Sequence, residues 1–148
     1  MQKIMKIQTI IDPKQLGRSS QELIEIFLKD KKKQEELKFD YIQLDSSAEN
    51  IKYPSQGSKV FIPSLVGKIL ITYPLGVLAV VSVEGIQTRD QLIKEIVEAY
   101  HEIYRLDKDS GQKIGTGISR IWGHSLRDLV LHTINIYEQG IIILGIDS

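Results

Sequence analysis

Apolar positions recur along this chain with two periods, and each period marks its own elements. Residues Lys3 to Ile11 alternate polar and apolar, the pattern of a first strand, and Asp12-Pro13 ends it. Ser19 with Glu22 three residues on is a helix start in which each side chain satisfies the other's backbone N–H. Leu23, Ile24, Phe27 and Leu28 follow at helical spacing. From Asp30 to Leu37 the chain is nearly all charge, so the helix is expected to end there. Phe39 to Leu44 predicts a short strand, and Asp45 to Ser58, rich in Ser, Asn, Pro and Gly, predicts a loop. Val60-Phe61-Ile62 predicts another short strand, stopped by Pro63. Lys68 to Tyr73 and Val77 to Val83 predict central strands joined by Pro74-Leu75-Gly76 as an antiparallel hairpin. Both are apolar on both faces, which requires burial on both sides or an interface on one.

The clearest helix follows. Thr88 with Gln91 reads as a capping box. Leu92, Ile93, Ile96, Val97, Tyr100, Ile103 and Tyr104 share one stripe, with Asp90, Lys94, Glu95, Glu98 and Glu102 mostly off it. Asp107 to Gly117 carries Gly111 and Gly115 and reads as a loop; Ser125 to Asp128 can form one helical turn. Val130 to Tyr137 and Ile141 to Ile146 predict strands joined by the turn Glu138-Gln139-Gly140. The order of elements predicts a single α+β domain over residues 1–148: an antiparallel or mixed sheet packed by two helices, with a C-terminal β-hairpin.

Composition narrows the chemistry more than it names it. Lys plus Arg is 19 and Asp plus Glu is 19, so there is no basic excess of the kind that phosphate neutralisation favours, and no nucleic-acid partner is expected. The chain has no cysteine, which excludes thiol catalysis, thiolate metal sites and disulfides and fits a reducing, cytoplasmic setting. The N-terminus lacks a continuous apolar run, and Ile69 to Val83 is too short and too broken by Pro74 and Gly76 to span a bilayer as a helix, so no membrane association is expected.

The segment Gly117 to Leu129 is the most unusual. It holds the only Trp, Trp122, one of three His, His124, and Arg120, Arg127 and Asp128 beside Gly123. His124 and Asp128 are four apart and would share one face of a helical turn. With Ser119 or Ser125 near, a nucleophile, base and orienter can be drawn, although no nucleophile-elbow motif is present. The bland reading is favoured: His124 and Asp128 cap a turn while Trp122 anchors the segment. His132 falls on a predicted strand face with Val130, Ile134 and Ile136, as a core or edge histidine, and His101 has no second ligand at useful spacing. Gly111, Gly115 and Gly117 do not form a phosphate loop, since Lys113 precedes the last glycine. No metal or cofactor is expected.

The block Ile121-Trp122-Gly123-His124, then Asp128-Leu129-Val130-Leu131, with Gly145-Ile146-Asp147-Ser148 at the end, resembles an uncharacterised family of eukaryotes and large DNA viruses. It covers about the last half of the chain. The resemblance implies a domain and carries no activity. Ser125 stands where that family's pattern has an acidic residue, so no acid–base role transfers to it.

The leading expectation is a non-catalytic interaction domain, a small subunit or adaptor binding a protein partner or a second copy. Its contact residues would be Trp122, Arg120, Arg127 and His124, with the turn Tyr73 to Leu75 second. The alternatives are a small hydrolase using His124, Asp128 and Ser125 or Ser119, and a small-ligand binder with a pocket between the second helix and the sheet.

Overall fold

The structure is a computed structural model and describes residues 7–55, 57–110, 117–121 and 123–148. Six strands and two helices run in the order β1 (Ile7–Ile11), α1 (Ser20–Leu28), β2 (Lys33–Gln43), β3 (Val60–Ile71), β4 (Leu78–Thr88), α2 (Arg89–Ser110), β5 (Val130–Tyr137) and β6 (Ile141–Asp147). The strands form one mixed sheet in the order β1-β4-β3-β6-β5-β2, confirming the α+β class and the C-terminal hairpin-like pair β5–β6. All pairings are antiparallel except β3 with β6. No helix among the described residues is long and apolar enough to cross a membrane.

Local signals set the helix starts. The Ser19 hydroxyl accepts from the Glu22 N–H and the Glu22 carboxylate accepts from the Ser19 N–H, both at 3.1 Å. At α2 the Gln91 N–H donates to the Thr88 hydroxyl at 3.2 Å, while the Gln91 side chain reaches one residue further back than a capping box requires, to the Gln87 N–H at 2.6 Å.

The centre of the sheet is covered on both faces. Ile69, Ile71, Ala79 and Val81 pack with Leu92, Ile93, Ile96, Val97 and Tyr100 of α2. Alternate positions Leu70, Leu78 and Val80 pack with Leu23 and Ile24 of α1. The continuous apolar run in β3 and β4 therefore reflects burial on both sides at Ile69 to Ile71 and Leu78 to Val81. The space between α2 and the sheet is filled by side chains that are fully buried, so the pocket expected there is replaced by core. Exposed apolar side chains lie instead on the first half of β3, at Val60, Ile62 and Val66.

Three local expectations change. β2 begins at Lys33, inside the charged run, because an edge strand can keep its outward residues charged; Glu36 pairs with Lys33 at 3.0 Å and with Lys38 at 3.2 Å. β3 continues through Pro63 to Ile71, since β6 pairs with it only at Lys68, Ile69 and Leu70 and the ladder to β4 slips between Val60 and Leu65, so no N–H is required of the proline. Glu102 is buried, at 4 % exposure, and forms an ion pair with Arg105.

Candidate functional site

Asp12, Gly76, Tyr104 and Asp107, from three places in the chain, hold the segment after Gly117. The Asp107 carboxylate, one α2 turn beyond Tyr104, accepts the N–H groups of Ser119 at 3.1 Å and Ile121 at 3.5 Å. Gly117 packs so closely on Asp107 that a Cβ there would collide with its carboxylate and carbonyl oxygen. The Tyr104 hydroxyl donates to the His124 carbonyl at 3.1 Å, and Arg120 pairs with Asp12 at 2.8 Å. The Gly76 N–H lies 3.2 Å from the carbonyl oxygens of both Ser119 and Arg120. A side chain at Gly76 would meet Arg120, so glycine lets the β3–β4 turn dock here.

This docking unites the two surfaces singled out separately in the sequence. The Tyr73 hydroxyl is 3.2 Å from His124 Nε2 and 2.7 Å from the Ser148 hydroxyl, with the Tyr73 and His124 rings 5.4 Å apart. The Tyr73 carbonyl accepts the Tyr100 hydroxyl at 2.8 Å. Burial pushes the hydroxyls of Tyr100 and Tyr104 well above the ordinary tyrosine range, so both stay protonated and act as donors.

The remaining candidates divide into separate pairs. Asp128 accepts the Ser125 hydroxyl at 2.8 Å and its N–H at 3.4 Å, closing a single 3₁₀ turn at Leu126–Asp128. The hydrogen bonds from the Ser125 hydroxyl chiefly and from its N–H, with the Arg127 guanidinium nearby, hold the Asp128 carboxyl below its usual range. His124 thus faces a tyrosine, Ser125 faces Asp128, and Ser119 is fully buried with no partner for its hydroxyl among the described residues. The nucleophile–base hydrogen bond that a serine hydrolase requires is not the arrangement these four side chains adopt. Arg127 is exposed and Tyr73 is 40 % exposed, whereas Leu75 is buried in the core and offers no contact surface. Trp122 lies outside the described residues, as do Gly111 and Gly115.

Asp107 and Asp12 were not singled out as site residues in the sequence. The signal for Asp107 was its register: it continues the buried stripe Tyr100, Ile103 and Tyr104, where a carboxylate must find backbone donors. Asp12 carried no comparable signal, because its partner is remote in the chain.

His132 also sits differently. The β5–β6 register shifts between Leu131 and Thr133, so Leu131, Ile134 and Ile136 face the α2 core while His132 turns away from them. Its Nδ1 lies 2.7 Å from the Thr133 hydroxyl and its ring lies over Gly145, where any Cβ would strike it. His101 Nε2 is 2.9 Å from the Ser46 carbonyl oxygen, a structural tie to the loop after β2.

The acid side of the pH range tests these ties. Its hydrogen bond to Arg120 holds the Asp12 carboxyl below its ordinary value of 3.8. A depressed carboxyl stabilises the fold above the unfolded value and loses that contribution as pH falls through the folded one. Asp128 has the same sign. Protection of the Arg120, Ile121 and Gly76 amides, measured as exchange relative to the intrinsic rate at each pH, is therefore expected to be steady from about pH 5 to 8 and to fall below about pH 4, before that of Ile93 and Ile96. Equal acid sensitivity in both groups would refute this ordering.

No protein-family model matches this chain, and neither the curated proteins nor the solved structures contain a match to it.

Proposed function

We propose that this domain is a non-catalytic interaction module, a small subunit or adaptor of a cytosolic assembly, whose contact surface is the corner formed by Tyr73, His124 and Arg127. The observation that carries this reading is the way the corner is held. Asp107, Tyr104, Tyr100 and Gly76 fix its backbone from inside, while Arg127 and much of Tyr73 face outward. A loop already fixed in one conformation loses little entropy on binding, and Tyr and Arg are the side chains that most often anchor protein contacts. The separate pairing of His124 and Asp128 favours a contact role over the hydrolase alternative.

The test is capture from the native source by wild-type protein, with chemical cross-linking of the captured complex to identify what touches the corner. A Tyr73→Ala, Arg127→Ala variant, checked for retained fold, is expected to weaken the crosslinked partner by tenfold or more, at about 1–2 kcal/mol for each anchor. An Ile62→Asp variant on the far part of β3 is expected to leave it unchanged. Equal capture by the wild type and the double variant would refute the assignment of this corner. Self-association through the same surface would appear as a dimer by light scattering that the double variant abolishes.

A further inference from the structure

A concavity among the described residues lies on the other side of the sheet from α2. It exists because α1 has only nine residues and ends at Leu28, leaving the β3–β4 ribbon beyond it uncovered. The space is about 640 Å³, within the usual range for small-molecule sites. Phe27, Val66 and Ile141 supply apolar surface; Val66 is 64 % exposed, an aliphatic side chain on a strand with nothing over it.

The rim is built from two turns that are pinned to each other. The Lys32 N–H donates to the Glu138 carboxylate at 2.6 Å, and the Glu138 N–H donates to the Lys32 carbonyl at 2.9 Å. Each turn contains a non-glycine residue in the left-handed region, Asp30 at φ 60° and Gln139 at φ 63°. Such conformations cost free energy and tend to collect where a side chain must be presented in one direction. Here they place Lys31 and Gln139 on the wall of the cavity. Lys68 and Ser82, directly paired across β3 and β4, stand on the floor, with Glu84 beyond them. Neither Lys31 nor Lys68 forms an ion pair among the described residues.

We propose that this cavity binds a small organic anion with an apolar body. Lys31 and Lys68 supply two positive charges against the one negative charge of Glu84, and the Ser82 hydroxyl and Gln139 amide add neutral donors. The apolar part of the ligand covers Val66 and Phe27. This site is separate from the Tyr73–His124–Arg127 corner and does not depend on it.

Octanoate and octylammonium, matched in chain length and opposite in charge, are the probes, each kept below its micellar concentration and followed by amide NMR shifts of the full chain. Octanoate is expected to shift Phe27, Lys31, Lys68, Ser82 and Gln139 saturably, with a dissociation constant on the order of 1 mM for so small a ligand. Octylammonium is expected to leave them in place. A Lys31→Glu, Lys68→Glu variant is expected to weaken octanoate by about tenfold or more, and Ser82→Phe, which fills the floor and keeps both lysines, is expected to abolish binding. Equal response to the two probes, which needs no variant, would overturn the proposal. So would the absence of saturable shifts, or unchanged octanoate binding in either folded variant.

Discussion

Replacing Gly67 with alanine is expected to cost the protein about 3 kcal/mol, the upper part of the range for forcing atoms into a packed site. The sheet consists of two antiparallel ribbons, β1-β4-β3 and β6-β5-β2, and among the described residues they pair only through the parallel seam of Lys68, Ile69 and Leu70 with Ile141, Ile142 and Ile143. Gly67 sits at the start of that seam, against the Gly140 backbone. A Cβ on Gly67 would collide with the Gly140 carbonyl group, and a Cβ on Gly140 would collide with the Val66 carbonyl oxygen. The obstacle is main chain, so no side-chain rotation relieves it. Gly140 cannot readily retreat, because its turn is tied to Lys32 by the paired hydrogen bonds from and to Glu138. Urea unfolding should show a midpoint lowered by about 1–3 M, given slopes of about 1–3 kcal/mol per molar for small domains. Gly57→Ala is the control: a Cβ there meets nothing within 4 Å, and its effect should stay within about 0.5 kcal/mol. A Gly67→Ala protein as stable as the control would refute the account of the seam.

Asp107→Ala is expected to produce the second large effect, and a local one. Hydrogen bonds to a charged acceptor contribute about 1.5–3 kcal/mol each, and the variant leaves the N–H groups of Ser119 and Ile121 without that acceptor. The segment can open without unfolding the sheet, since its ties to Tyr73, Tyr104, Asp12 and Gly76 are not bonds of the strand ladder. Amide exchange at Ser119 and Ile121 should accelerate by about a hundredfold, equivalent to about 3 kcal/mol of lost local stability, while exchange in the core of α2 changes far less. Asp107→Asn, which keeps a carbonyl acceptor, should fall between the two. If the contact surface is as proposed, Asp107→Ala also weakens partner capture although Asp107 itself lies beneath the surface. Unchanged exchange at both amides would show that the carboxylate does not hold the segment.

The two effects have different origins in the chain. Gly67 and Gly140 are ordinary glycines until β3 and β6 come together, and nothing near either residue in sequence announces the contact. Asp107 reads in the sequence as the first residue of a loop; the structure carries α2 on to Ser110, which puts Asp107 in line with Tyr100, Ile103 and Tyr104 and turns its carboxylate onto the returning backbone. The same division runs through the candidate site. Its position was readable from the clustering of His, Arg and aromatic residues after Gly117 and from the Pro74-Leu75-Gly76 turn. The pairings were not, and His124 meets Tyr73 where the sequence spacing had suggested Asp128.

Short-range physics accounts for what can be read directly. The Ser19–Glu22 box, the stripe of α2, the apolar strands around Pro74 and the turn at Glu138-Gln139-Gly140 each depend on residues within a few positions of one another, so their signals are complete in the local sequence. The start of β2 in a charged run, the passage of β3 through Pro63, the bulge that turns His132 away from the α2 core and the parallel seam are of another kind. Each depends on which strand lies alongside and in what register. A strand's propensity does not specify its neighbour, and one shifted residue exchanges the two faces.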